Sequence, residues 1–124
     1  MFKQVAHARL EDAAVLLDHQ RHAGALYLAG YAVECLLKWA VTQKREWVYL
    51  PAELEVHDLN ELLGQAGLRV PLRQRRCPER VFLGLAESWA PELRYLAKPP
   101  AADRAMRLYE QIVEVYDWIA EQTV

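Results

Sequence analysis

The sequence predicts an all-α protein: an up-and-down bundle of about five helices whose second helix is buried at the centre. Residues 23–42 carry only two charges, Glu34 and Lys38, and are apolar on nearly every side at helical spacing. That is the pattern of a helix enclosed by its neighbours. Elsewhere, apolar residues recur at steps of three and four, in segments parted by proline, glycine and short polar runs. A hydrophobic content of 53% over 124 residues supports a real core, and residues 1–124 read as one domain that needs no disulfide or metal staple.

The first helix is expected over residues 3–19. Ala6, Leu10, Ala13, Ala14 and Leu17 form its inward face, while Arg9, Glu11, Asp12 and Asp18 point mostly outward. The N-terminal residues open this amphipathic pattern rather than a signal sequence. A short polar junction over residues 19–22 then makes an antiparallel hairpin with the second helix. His19 and His22 have a spacing that could hold a metal on a helix, but no Cys/His cluster completes a site, so no metal or other cofactor is expected.

On the second helix Leu26, Gly30, Val33, Leu37 and Ala40 form one apolar stripe. Ala25, Ala29, Ala32 and Leu36 form another, small enough to admit a close neighbour. Charges in the middle of the segment argue against a membrane span. Tyr27, Tyr31, Glu34 and Lys38 make its polar stripe. Glu34 and Lys38 stand in the favourable order for an (i, i+4) pair, which contributes about 0.2–0.5 kcal/mol when exposed. The stripe is either a helix edge meeting solvent or a partner helix, or one wall of a polar cleft.

A loop broken at Pro51 follows. Asp58 then suits the N-cap of a short third helix, with Glu61 three residues on. This places His57 just before the cap, and capping is preferred to catalysis for the His57–Asp58 pair because no set of separated ligands accompanies it. Gly64 and Gly67 loosen the end of that helix. Residues 69–80 are expected to be a basic loop holding Arg69, Arg73, Arg75, Arg76 and Arg80. Without its five arginines and one glutamate the chain would carry a net charge of −6 instead of −2, so positive charge is concentrated there. The loop reads as solvated or partner-facing, or as an RNA-binding patch, although no aromatic alternates with its arginines.

Pro78 suits the first turn of a fourth helix with Val81, Phe82, Leu85, Ala86 and Trp89 inward, ended by Pro91. Residues 92–100 form a proline-stiffened link. The last helix starts near Asp103, with Met106, Tyr109, Ile112, Val113, Tyr116, Ile119 and Ala120 on its core face. Cys35 in a buried helix and Cys77 in a loop do not make a disulfide framework, so a reduced, cytoplasmic setting is expected.

Residues 25–38 resemble the second helix of HEPN domains. The turn Gln20–Arg21–His22, the His57–Asp58–Leu59 element followed by Leu62 and Leu63, and Arg94–Tyr95 ahead of a long last helix are similar to further elements of that family. The resemblance covers almost the whole chain. It implies a five-helix bundle, usually a homodimer, often beside a small nucleotidyltransferase in a toxin–antitoxin or defence pair. Many members are metal-independent endoribonucleases with an Arg followed four to six residues later by a His. No arginine here has a histidine at that spacing. The resemblance therefore implies a non-catalytic binding or interaction module for a nucleotide or RNA. Tyr31, Glu34, Lys38, His57, Arg94 and Tyr95 are the candidate ligand-contacting residues. The alternative is a ribonuclease with a diverged centre, bringing Arg94 and His57 together.

Overall fold

The computed structural model of the chain describes residues 2–88 and 101–123. All regular structure among them is helical: α1 (Phe2–Asp18), α2 (His22–Arg45), α3 (Leu59–Gln65), α4 (Arg69–Arg73), α5 (Arg76–Ser88) and α6 (Ala102–Gln122), with a single 3-10 turn over Ala52–Leu54. This is the expected helical bundle with one short helix added. Trp89, Pro91 and residues 92–100, with Arg94 and Tyr95, lie outside the described residues.

α2 is the centre of the packing. It contacts α1, α3 and α6, while α5 rests on α6, α4 and α3. The apolar stripes expected of α2 are enclosed apart from the partly buried Leu26: Ala25, Ala29, Ala32, Val33, Leu36 and Leu37 have essentially no exposed surface. Small residues make the α1–α2 approach close. Ala6 and Ala13 are the fully buried positions of α1, and a Cβ on Gly24 would come within 3.3 Å of Leu16. Burying a Val or Leu side chain stabilises the fold by about 1.5–3 kcal/mol, so this helix carries a large share of the core. α2 is the one described helix long and apolar enough to cross a bilayer; 61% of its most apolar window is buried inside the fold.

Three helix ends close with the same lock. After α1, α2 and α3, a residue at positive φ (Gln20 at 61°, Glu46 at 56°, Gly67 at 72°) reverses the chain. The next amide then reaches back five residues: Arg21 to Leu16, Trp47 to Thr42, Leu68 to Leu63. This satisfies carbonyls that the helix leaves without partners. Only the third end uses glycine, for which this conformation has no steric cost. At the other two, a Cβ costs roughly 1–2 kcal/mol, so neither stop is marked by a glycine in the sequence.

Two expectations are corrected. Residues 69–80 are not a loop, since α4 and the start of α5 occupy most of them, and Cys77 lies in the first turn of α5. Pro71 and Pro78 each sit third in their helix, where the amide has no intrahelical acceptor to lose, so both are compatible with helix starts. The buried face of α6 keeps Ile112, Tyr116 and Ile119 of the one expected but departs from it elsewhere. Ala105, Ile112, Val115, Tyr116, Trp118 and Ile119 are buried, whereas Met106 is 49% exposed. Packing between α2 and α5 turns Val115 and Trp118 inward, and a stripe through Ala105 excludes its neighbour Met106.

Candidate functional site

Glu34 is the one charged side chain fully enclosed among the described residues. A carboxylate out of water needs partners, and the fold supplies them from different elements. Lys38 Nζ, one turn along α2, donates to Oε2 at 3.3 Å. His57 Nδ1, from the segment leading into α3, donates to Oε1 at 2.8 Å. Exposure grades outward across the group: the Glu34 side chain is 1% exposed, that of Lys38 12% and that of His57 54%.

Local structure fixes the imidazole. Asp58 Oδ1 accepts the Glu61 amide at 3.1 Å, making Asp58 the N-cap of α3 as its position suggested. Such a cap stabilises a helix by about 1 kcal/mol, and here it also pins the backbone of the neighbouring His57. With Nδ1–H committed to Glu34, Nε2 is the polar atom the ring has left. That nitrogen is an acceptor when the ring is neutral and a donor when it is protonated. The arrangement can therefore bind an anion or move a proton at one atom, Nε2, beside an ammonium group.

Tyr31 and Cys35 continue the stripe. The Tyr31 phenol is pushed above its ordinary value by charge repulsion from Cys35 first, then by burial. Burial pushes the Cys35 thiol up, against the opposing pull of Tyr31. A thiol kept protonated is a poor nucleophile. In a Cys77→Ser background, iodoacetamide near pH 8 is expected to label Cys35 far more slowly in the folded protein than in denaturant. Equal rates would place the thiol at the surface. The sign of the linkage follows. The unfolded thiol loses its proton near 9.0 while the folded one keeps it, so the stability this group contributes is complete below that pH and is lost as pH rises through the folded value.

Of the six candidate ligand residues, Glu34, Lys38 and His57 meet at one point and Tyr31 stands one turn from Glu34. Arg94 and Tyr95 lie outside the described residues. The arginines of residues 69–80 diverge. Arg69 donates to the Asn60 carbonyl at 2.8 Å. Arg75 lines a groove of about 290 Å³ facing Glu110, Glu114 and Asp117 of α6. Arg73 and Arg80 are exposed, and the side chain of Arg76 is outside the described residues. No three metal-ligating side chains converge among the described residues.

Comparison with protein-family models, with curated proteins and with solved structures finds no match to this chain. Its function is therefore argued from the site itself and from the motifs in the sequence.

Proposed function

We propose that this chain is a HEPN-type binding module, non-catalytic and homodimeric, that takes a phosphate-bearing ligand, a nucleotide or RNA, at the group built on Glu34. The observation that carries this reading is the graded exposure of that group. A tie serving the fold alone would enclose both ends, whereas here a buried carboxylate holds a half-exposed imidazole and an ammonium at the rim. Glu34 positions the other two; His57 and Lys38 meet the ligand. The resemblance in the sequence adds a small nucleotidyltransferase as protein partner.

Titration with ATP and with a short single-stranded RNA tests the module. His57→Ala is expected to weaken binding about tenfold or more, the scale of a lost hydrogen bond to a charged group. Wild-type affinity in that variant would remove His57 from the site.

One observation favours a second reading, a metal-independent endoribonuclease. An imidazole whose Nδ1 is held by a carboxylate is oriented as general bases are. Cleavage of transfer RNA in EDTA by the wild type, lost in His57→Gln, would decide for the enzyme.

A further inference from the structure

We infer that the Glu34 group is one end of a track for single-stranded nucleic acid, and that its ligand is a strand of several nucleotides rather than a mononucleotide. The inference rests on the binding reading above and adds a second contact surface to it.

Arg45 follows Lys38 by seven residues on α2, which places both on one face about 10 Å apart along the axis. α3 runs beside this half of α2 in the same direction. His57, just ahead of α3, bonds Glu34 at 2.8 Å, and Gln65 at its far end accepts from Arg45 Nη2 at 2.6 Å. Around that far end three cations gather. Lys44 lies over Gly67, and the Arg69 guanidinium lies against Gly64. Arg45 stacks over the Trp47 ring, 5.5 Å from its centroid. Two residues on, Tyr49 is 82% exposed.

Residues 69–80 by themselves lack an aromatic for bases to stack on. The fold brings Trp47, through Arg45 and its bond to Gln65, to the end of α3 against which Arg69 lies, and Tyr49 stands exposed two residues further on. Cations that follow a backbone, with aromatic faces between them, are what single strands need, because every base has a face to stack. Glu46 and Glu61 stand in the same region, so the surface is mixed in charge and the aromatics decide its use.

The experiment compares an eight-nucleotide oligouridylate, its deoxy counterpart and UMP by fluorescence or calorimetry, on wild type, Tyr49→Ala and Arg45→Ala. Both substitutions are at exposed positions. The expected result is that the octamers bind at least tenfold tighter than UMP. Each substitution then lowers octamer affinity about tenfold, leaves UMP unchanged, and the octamer affinity falls with salt at a log–log slope of about −3 for the four cations Lys38, Lys44, Arg45 and Arg69. A preference for the ribose octamer assigns RNA, and equal binding assigns single strands of either kind. Octamers no tighter than UMP, or octamer binding untouched by Tyr49→Ala, would overturn the track and leave the Glu34 cleft standing. A flat salt response would show that the cations do not meet the strand and would overturn the track. Binding of neither UMP nor octamer would remove the cleft reading, and the track with it.

Discussion

Glu34→Ala is expected to destabilise the protein by roughly 3 kcal/mol, the scale of breaking a buried ion pair by removing one partner. For a chain of this size that corresponds to a fall of about 10 °C in melting temperature. The loss has two parts. The vacated volume lies in the middle of α2, where Val33, Leu37 and Ala40 are already enclosed and have little freedom to fill it. Lys38, whose side chain is 12% exposed, is left with its charge in a mostly dry position. Glu34→Gln keeps the volume and removes the charge, so it should cost less. The double variant Glu34→Met with Lys38→Met should recover much of the loss, since an apolar pair of similar size avoids the cost of desolvating two ions. Thermal melts of the three variants check this. A melting temperature for Glu34→Ala within a degree or two of wild type would mean that the carboxylate is not enclosed.

Phe82→Ala should have an effect of similar or greater size, about 3–5 kcal/mol, the range for truncating a fully buried aromatic. Phe82 is the largest of the fully buried side chains among the described residues and has no exposed surface. It belongs to α5, a helix of 13 residues that is too short to persist by its own propensity. Its docking therefore depends on this anchor. Leu83, one position along and 49% exposed, provides the contrast: Leu83→Ala should change stability by about 0.5 kcal/mol or less. Urea denaturation of the two variants separates them. Equal losses would contradict the orientation of α5.

These predictions draw on parts of the molecule that differ in how legible they were. The enclosure of Glu34 was not legible. At the sequence level Glu34 and Lys38 read as a pair on a helix edge before they read as the wall of a cleft, because (i, i+4) spacing describes a helix and not what covers it. His57 was legible as the residue before a cap, and Asp58 does cap α3. Nothing in the sequence connects His57 to a carboxylate 23 residues earlier. Phe82 was placed on an inward face by periodicity alone, whereas Met106 was misplaced by the same reasoning. A stripe of apolar residues leaves the rotation of a helix uncertain by about one position, 100°, until its neighbours are known.

The sequence by itself determined the helical class, the enclosed second helix, the cap at Asp58 and the helix start near Pro78. All of these follow from interactions within a few residues: hydrophobic periodicity, side-chain capping and the missing amide of proline. Only the tertiary structure decided that residues 69–80 are mostly helical, that α1 and α2 end on non-glycine residues at positive φ, and that Val115 and Trp118 face inward. It alone brought His57 to Glu34, and Trp47 to the cation that also reaches Gln65. These outcomes depend on which surfaces of separate helices meet, and burial and pairing energies between distant segments outweigh the local preferences of either one.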